Sequence, residues 1–131
     1  MIFVDTGAWF ARYVVEDVDH AAAIAWFGNV PDKLVTTDYV VDELLTLLKV
    51  RGYAHIAFVV GEPLLSGIAC QVEFVQRADI ARAWAIFSTF RDKEWSFTDC
   101  VSRIVIERLG IATACSFDEH FRQFGIVNVV P

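Results

Sequence analysis

Short apolar runs rich in Val, Phe and Ile alternate along this chain with longer stretches of helical periodicity. Runs this short read as buried strands, and strands separated by helices pair in parallel. The pattern predicts strands near 2–5, 34–37, 70–74, 112–116 and 126–129. Helices are expected near 7–14, 19–28, 39–51, 53–66, 76–91, 97–109 and 119–124, with Gly61 and Pro63 breaking or ending the fourth. The expected class is α/β, with a central, mostly parallel sheet flanked by helices. No repeat, low-complexity stretch or linker appears, and 131 residues suit a single domain over 1–131.

Three acidic residues follow apolar runs at or near the point where a buried strand would end, and a fourth opens a helix. Ile2-Phe3-Val4 leads to Asp5, Leu34 to Thr37 leads towards Glu43, and Ala112 to Phe117 leads to Asp118. Asp99 opens the helical stretch between the last two. In a parallel sheet the C-terminal strand ends share one edge, where such folds place their sites. Carboxylates gathered there repel one another unless a divalent cation or a basic partner neutralises them.

A helical wheel separates neighbours. At about 100° per residue, Val40, Val41, Leu44, Leu45, Leu47 and Leu48 fill one arc, with Glu43 at its edge and Asp42 well outside. Glu43 is thus expected to turn into a cleft and Asp42 to face solvent. The same exercise sets Asp99 beside Ile106 at the margin of a buried face, with Arg103 and Glu107 outside. Each acid also has an ordinary use. Asp5 and Asp118 suit helix N-caps, and Ser96-Phe97-Thr98-Asp99 has the form of a capping box. Spacing alone leaves caps and metal ligands both open.

Composition narrows the surroundings. Apolar residues make up 56% of the chain, more than a soluble domain usually carries, and self-association is one outlet for the excess. No apolar run approaches the roughly 20 residues of a membrane span. The opening Met1-Ile2-Phe3-Val4-Asp5 lacks a basic stretch and meets an acid too early for a signal peptide, so a cytoplasmic location is expected. Cys70, Cys100 and Cys115 have neither zinc nor disulfide spacing and are expected as buried thiols. His20, His55 and His120 are scattered; His120, two residues past Asp118, is expected at the surface or in a cap. The formal net charge of −6 disfavours a nucleic-acid partner unless several of the acids belong to a metal site.

The local sequences go further. Ile2-Phe3-Val4-Asp5-Thr6-Gly7-Ala8-Trp9 resembles the opening of a PIN-domain ribonuclease, and the stretch from Thr37 to Leu48 resembles that family's second acidic motif, with Glu43 in the acidic position. Phe97-Thr98-Asp99-Cys100 is similar to the third motif, and Ala114 to Phe121, followed by Phe124-Gly125, to the closing segment. The match runs the whole chain in order, and is nearest to the short VapC-like toxins of toxin–antitoxin pairs. The resemblance implies a PIN-like three-layer fold in which Asp5, Glu43, Asp99 and Asp118 surround a Mg²⁺ or Mn²⁺ site. Thr6 and Thr98 would be accessory hydroxyls. It implies an RNA substrate, hydrolysis by a metal-activated water that Asp99 orients, and a cognate antitoxin protein; a homodimer is also expected.

Mg²⁺ is a hard ion that keeps several waters, so one or two direct carboxylates with others behind them suit it. Lys49 and Arg51 at the end of the Glu43 helix, and Arg91 and Lys93 before the Asp99 segment, are the cations near the motifs; each also suits a helix C-terminus. Other α/β classes fit less well. A haloacid-dehalogenase-like phosphatase needs a second Asp where Gly7 stands, and a response-regulator receiver needs a late Lys, whereas none follows Lys93. The alternative of a different kind is a non-catalytic module that binds a basic partner through the acidic cleft.

Overall fold

The computed structural model describes residues 1–131 and gathers five strands into one sheet: β1 (Ile2–Val4), β2 (Leu34–Thr37), β3 (Gln71–Glu73), β4 (Thr113–Cys115) and β5 (Asn128–Val130). Their order is β3-β2-β1-β4-β5, and every pair is parallel. The helices are α1 (Thr6–Tyr13), α2 (His20–Phe27), α3 (Asp38–Val50), α4 (Ala54–Leu65), α5 (Arg77–Thr89), α6 (Phe97–Leu109) and α7 (Glu119–Arg122). The expected α/β class and its elements are all present, in a sheet that is wholly parallel.

β1 is central, and Ile2, Phe3 and Val4 are all buried, as a strand covered on both faces requires. Phe3 stands opposite Val35 on one side and Ala114 on the other. The chain steps outward from β1 to β3, then crosses back to β4 and β5. Right-handed crossovers put the helices of the two directions on opposite faces of the sheet. β1 and β4 are therefore neighbours from which the chain leaves in opposite directions, and sheets of this kind bind ligands in the crevice between such ends.

Three local features differ from the expected pattern. β1, β3 and β4 are shorter than predicted, and β1 ends one residue before Asp5. The last strand begins at Asn128 rather than 126, after a turn in which Gly125 has φ +68°. Pro63 does not stop α4, which runs on to Leu65. The proline lies in the final turn and removes one bond to the carbonyl of Val59, a residue 72% exposed and open to water. Gly61 serves packing: a Cβ there would stand 3.4 Å from Leu45 Cδ2, so its absence lets α4 lie close on α3.

The core is aromatic at its centre. Trp9 is fully buried between Phe27 at 5.3 Å and Tyr13 at 6.0 Å, centroid to centroid, and Phe3 stacks on Phe121. The three cysteines are free and buried, as expected. One polar tie crosses the far half. Arg108 of α6 grips both oxygens of Asp79 on α5 at 2.9 Å and reaches Glu73 of β3 at 2.8 Å. Asp79 also accepts the Gln76 N–H at 2.9 Å, closing the start of α5.

Because Asp79 is 1% exposed, removing its partner leaves a charge without water. Arg108→Ala is expected to lower stability by about 2–4 kcal/mol. Arg82→Ala, which breaks only the exposed pair with Glu107, should change it by less than about 0.5 kcal/mol. Urea denaturation of the two variants checks the contrast.

Candidate active site

Asp5 follows β1 directly and its backbone is extended, so it caps α1, its Oδ1 accepting the Ala8 N–H at 2.8 Å. Its Oδ2 accepts a very short hydrogen bond from the Ser116 hydroxyl, just beyond β4. Ser116 Oγ in turn accepts the Asp118 N–H at 3.1 Å. One serine thus joins the two strand ends at the crevice. Asp118 caps α7 through the His120 N–H at 2.8 Å. Asp99 and Ser96 form the capping box of α6, each accepting the other's backbone N–H at 3.0 Å. The capping uses foreseen for Asp5, Asp99 and Asp118 are all realised.

The same residues share a second environment. Asp5, Glu43, Asp99 and Asp118 line one hollow of about 280 Å³, together with Thr6, Gly7, Leu47, Glu94 and Ser96. Glu43 is half-buried and Asp42 is exposed, as the wheel predicts. Thr6 is in the hollow. Thr98 is not; it lines the adjoining hollow on the other side of Glu43, with Asp42 and Thr46.

Two residues escaped sequence reasoning, Glu94 on the wall of the hollow and Ser116 buried behind it. Ser116 lay within the closing motif but carried no sign of its bond to Asp5, a contact across 111 residues. Glu94 comes from the loop before α6 and has no periodicity to mark it. His120, expected at the surface or in a cap, is half-buried in the capped first turn of α7 beside the hollow. Its Nδ1 is 3.4 Å from Asp118 Oδ1 and its Nε2 is 3.5 Å from Glu94 Oε2.

The electrostatics are strained in one direction. Burial, reinforced by Asp99 and Asp118, pushes the Asp5 carboxyl up to about 7, although Ser116 and Ala8 pull it down. Burial, with Glu43 and Asp118, likewise raises Asp99 to about 6, against its bonds to Ser96. No Lys or Arg pairs with any of the four. Nor do any three His, Cys, Asp or Glu side chains close on one another tightly enough to hold an ion by themselves. The donor set is nevertheless one of oxygens, carboxylate and hydroxyl, around an open hollow. Such a set fits a hard divalent ion that retains part of its water shell.

The family model described as "PIN domain" matches residues 2–127. The 23S rRNA-specific endonuclease VapC20 of Mycobacterium tuberculosis is 33% identical over 131 residues, covering 100% of this chain and 99% of that protein. Its crystal structure, described as a Sarcin-Ricin loop cleaving toxin, superposes with a TM-score of 0.91 at 31% identity and full coverage of both chains. A VapC ribonuclease of Archaeoglobus fulgidus is 30% identical over 125 residues, covering 90% of this chain and 77% of that protein. A toxin-antitoxin complex from Klebsiella pneumoniae shares the fold alone, with a TM-score of 0.64 at 12% identity and coverage of 100% and 97%.

The raised carboxyls fix the sign of a pH effect in chelated protein. Asp5 loses its proton near 3.8 when unfolded and at about 7 when folded. Between these values the native state holds a proton the unfolded chain has lost, so this contribution to stability falls as pH rises through the window. Asp99 adds to the fall up to about pH 6. Asp5→Asn keeps an oxygen for Ala8 and offers an amide to Ser116. It should raise the melting temperature at pH 8 by about 5 °C, equivalent to roughly 1–2 kcal/mol, and flatten the pH profile measured by thermal melts.

Proposed function

The chain belongs to the PIN-domain family, and on that premise we propose that it is a Mg²⁺- or Mn²⁺-dependent endoribonuclease, the toxin of a toxin–antitoxin pair working in the cytoplasm. The observation that carries this reading is the convergence of Asp5, Glu43, Asp99 and Asp118 on one hollow at the crevice of the sheet. The full-length similarity to proteins named as ribonucleases supports it. The intact set of four acids favours catalysis over a passive acidic cleft.

Asp5, Glu43, Asp99 and Asp118 would hold the ion, one or two directly and the others through waters. When bound, the ion supplies a water of lowered pKa and neutralises charge developing on the phosphoryl oxygens. Asp5 is the rigid member, since Ala8 and Ser116 hold both its oxygens before any ligand arrives. Asp99 gives Oδ2 to the Ser96 N–H and keeps Oδ1 free of protein partners. That oxygen orients the attacking water and accepts its proton. The water oxygen bonds to phosphorus while the bond to one ribose oxygen breaks, and the departing oxygen takes up a proton. Thr6, at the rim of the same hollow, suits a bridging water, whereas Thr98 acts from outside it.

Two partners complete the proposal. A second copy of the chain would cover apolar surface that a monomer leaves in water, such as Phe58 at 77%, Ile68 at 84% and Trp84 at 57% exposure. A small antitoxin protein would restrain the enzyme by placing a guanidinium or ammonium among the carboxylates. No helix of the chain is long and apolar enough to cross a membrane.

Excess chelator, or Asp99→Asn, is expected to reduce RNA cleavage at least about a thousandfold while the far-ultraviolet spectrum is unchanged, the order expected when a water-orienting group is lost. Asp42→Asn, one residue from Glu43 but exposed, should keep the rate within about twofold. Full activity in chelator ends the metal reading; a large loss in Asp42→Asn reverses the assignment of the helix face.

Light scattering of the purified protein at micromolar concentration should give the mass of a dimer, and the product of the neighbouring gene should co-purify with it. Inhibition by that partner should weaken as Mg²⁺ is raised. A monomer throughout removes the homodimer, and inhibition indifferent to Mg²⁺ removes the competing cation.

A further inference from the structure

A trough leads away from the acid hollow. Gly7, Leu47 and Asp118 line both that hollow and a second one of about 230 Å³, which Phe10, Asp17, Asp19, Arg51 and Phe117 complete. Phe10, Asp17 and Arg51 pass on into a third, where Val14, Val18 and Tyr53 supply an apolar wall. Gly7 has no side chain to obstruct the pass between the first two. Arg51 lines the second and third hollows, and no other Lys or Arg lines any of the three.

As the residue that ends α3, Arg51 needs no fixed side chain to complement the helix dipole. Its guanidinium is nevertheless held, 5.2 Å from the centroid of the Phe10 ring, and Phe10 is itself braced edge-on by Tyr53 at 6.0 Å. Arg82, Arg103, Arg108 and Arg122 all pair with carboxylates, whereas Arg51, like Arg12, Arg77 and Arg91, pairs with none. A guanidinium resting over an aromatic ring and paired with no carboxylate keeps its N–H fork for another acceptor, and that fork takes a phosphate in bidentate fashion. A polyanion lying along these hollows meets no other Lys or Arg on their walls. Asp17 and Asp19 face the same hollow, so the foothold is a single point and sets the register of whatever lies there.

We propose that Arg51 is a substrate-binding residue: it holds a phosphate of an unpaired RNA strand near the one that is cut, with the adjoining base against the wall of Tyr53 and Val18. The inference rests on the ribonuclease reading and adds to it a cation that none of the four acidic motifs contains. Base stacking on such a wall is indifferent to sequence, so the phosphate contact sets position rather than base preference.

The test uses full-length protein with Mg²⁺ and purified bacterial ribosomal RNA. Arg51→Ala should raise KM about tenfold with kcat within about threefold, as loss of one charge-assisted contact predicts. The slope of log KM against log salt should fall by about 0.7, the value for one phosphate on a single strand. Arg51→Lys should recover the salt slope but only part of KM, and Lys49→Ala, on the exposed face of α3, should move neither. A second arm measures binding of a single-stranded RNA oligonucleotide to the Asp99→Asn protein with and without Arg51→Ala. If wild type cuts and Arg51→Ala leaves KM and slope unchanged, the inference falls and the ribonuclease reading stands. If wild type does not cut, that reading falls and the binding arm decides: a tenfold loss with the lower slope upholds the contact, and no change overturns it. Loss confined to the hold of a co-purified protein also overturns it.

Discussion

A carboxylate with almost no access to water stands at the end of the central strand, and the site is arranged around keeping it there. Asp5 gains two hydrogen bonds, from the Ala8 N–H and the Ser116 hydroxyl, yet burial still outweighs them and holds its proton to about pH 7. The position is set by the sheet. β1 is flanked by β2 and β4, so its end opens into the crevice where the chain direction reverses. Ser116 then ties β4 to β1 and, through the Asp118 N–H, fixes the start of α7. A group this poorly solvated is unfavourable for the bare fold and useful to any ligand that brings positive charge.

The acids serve two purposes with different atoms. Asp5, Asp99 and Asp118 each spend an oxygen on a helix N-terminus, which any parallel α/β protein collects at this edge. What distinguishes this edge is that three caps and Glu43 converge on one hollow without a Lys or Arg among them. Capping explains where the three aspartates stand; burial, with no Lys or Arg to pair them, explains why Asp5 and Asp99 are raised. Arg108, by contrast, shows what the fold does with carboxylates meant only to hold it together: it pairs Asp79 and Glu73 at once.

Much of this was legible in the sequence for definite reasons. Strand and helix periods differ, so short Val, Phe and Ile runs marked the strands, and the wheel told Glu43 from Asp42 because α3 buries a broad apolar face. The ordered acidic motifs marked the site. Ser116 and Glu94 were not legible, since one acts through a contact 111 residues away and the other lies in an aperiodic loop. Pro63 misled because the rule against proline weakens in a final turn whose freed carbonyl meets water. The motif did not show on which side of Glu43 Thr98 lies, and it lines the adjoining hollow. Arg51 could be noticed but not interpreted, because only the stack on Phe10 separates it from an ordinary helix-ending arginine.

The pairing of β1 with β4 also bears on when the molecule becomes active. Ile2 pairs with Thr113, and Asp5 takes its hydroxyl partner from 111 residues further on. During synthesis at about 5–20 residues per second, the first strand emerges early but waits for about five to twenty seconds before its neighbour exists. Until then Asp5 has no Ser116, and the hollow lacks Asp118. A growing chain can form α1 to α4 and pair β1 with β2 and β2 with β3, yet it carries no assembled centre. A complete hollow is thereby confined to chains whose synthesis has passed β4, a timing imposed by the order of the strands along the chain.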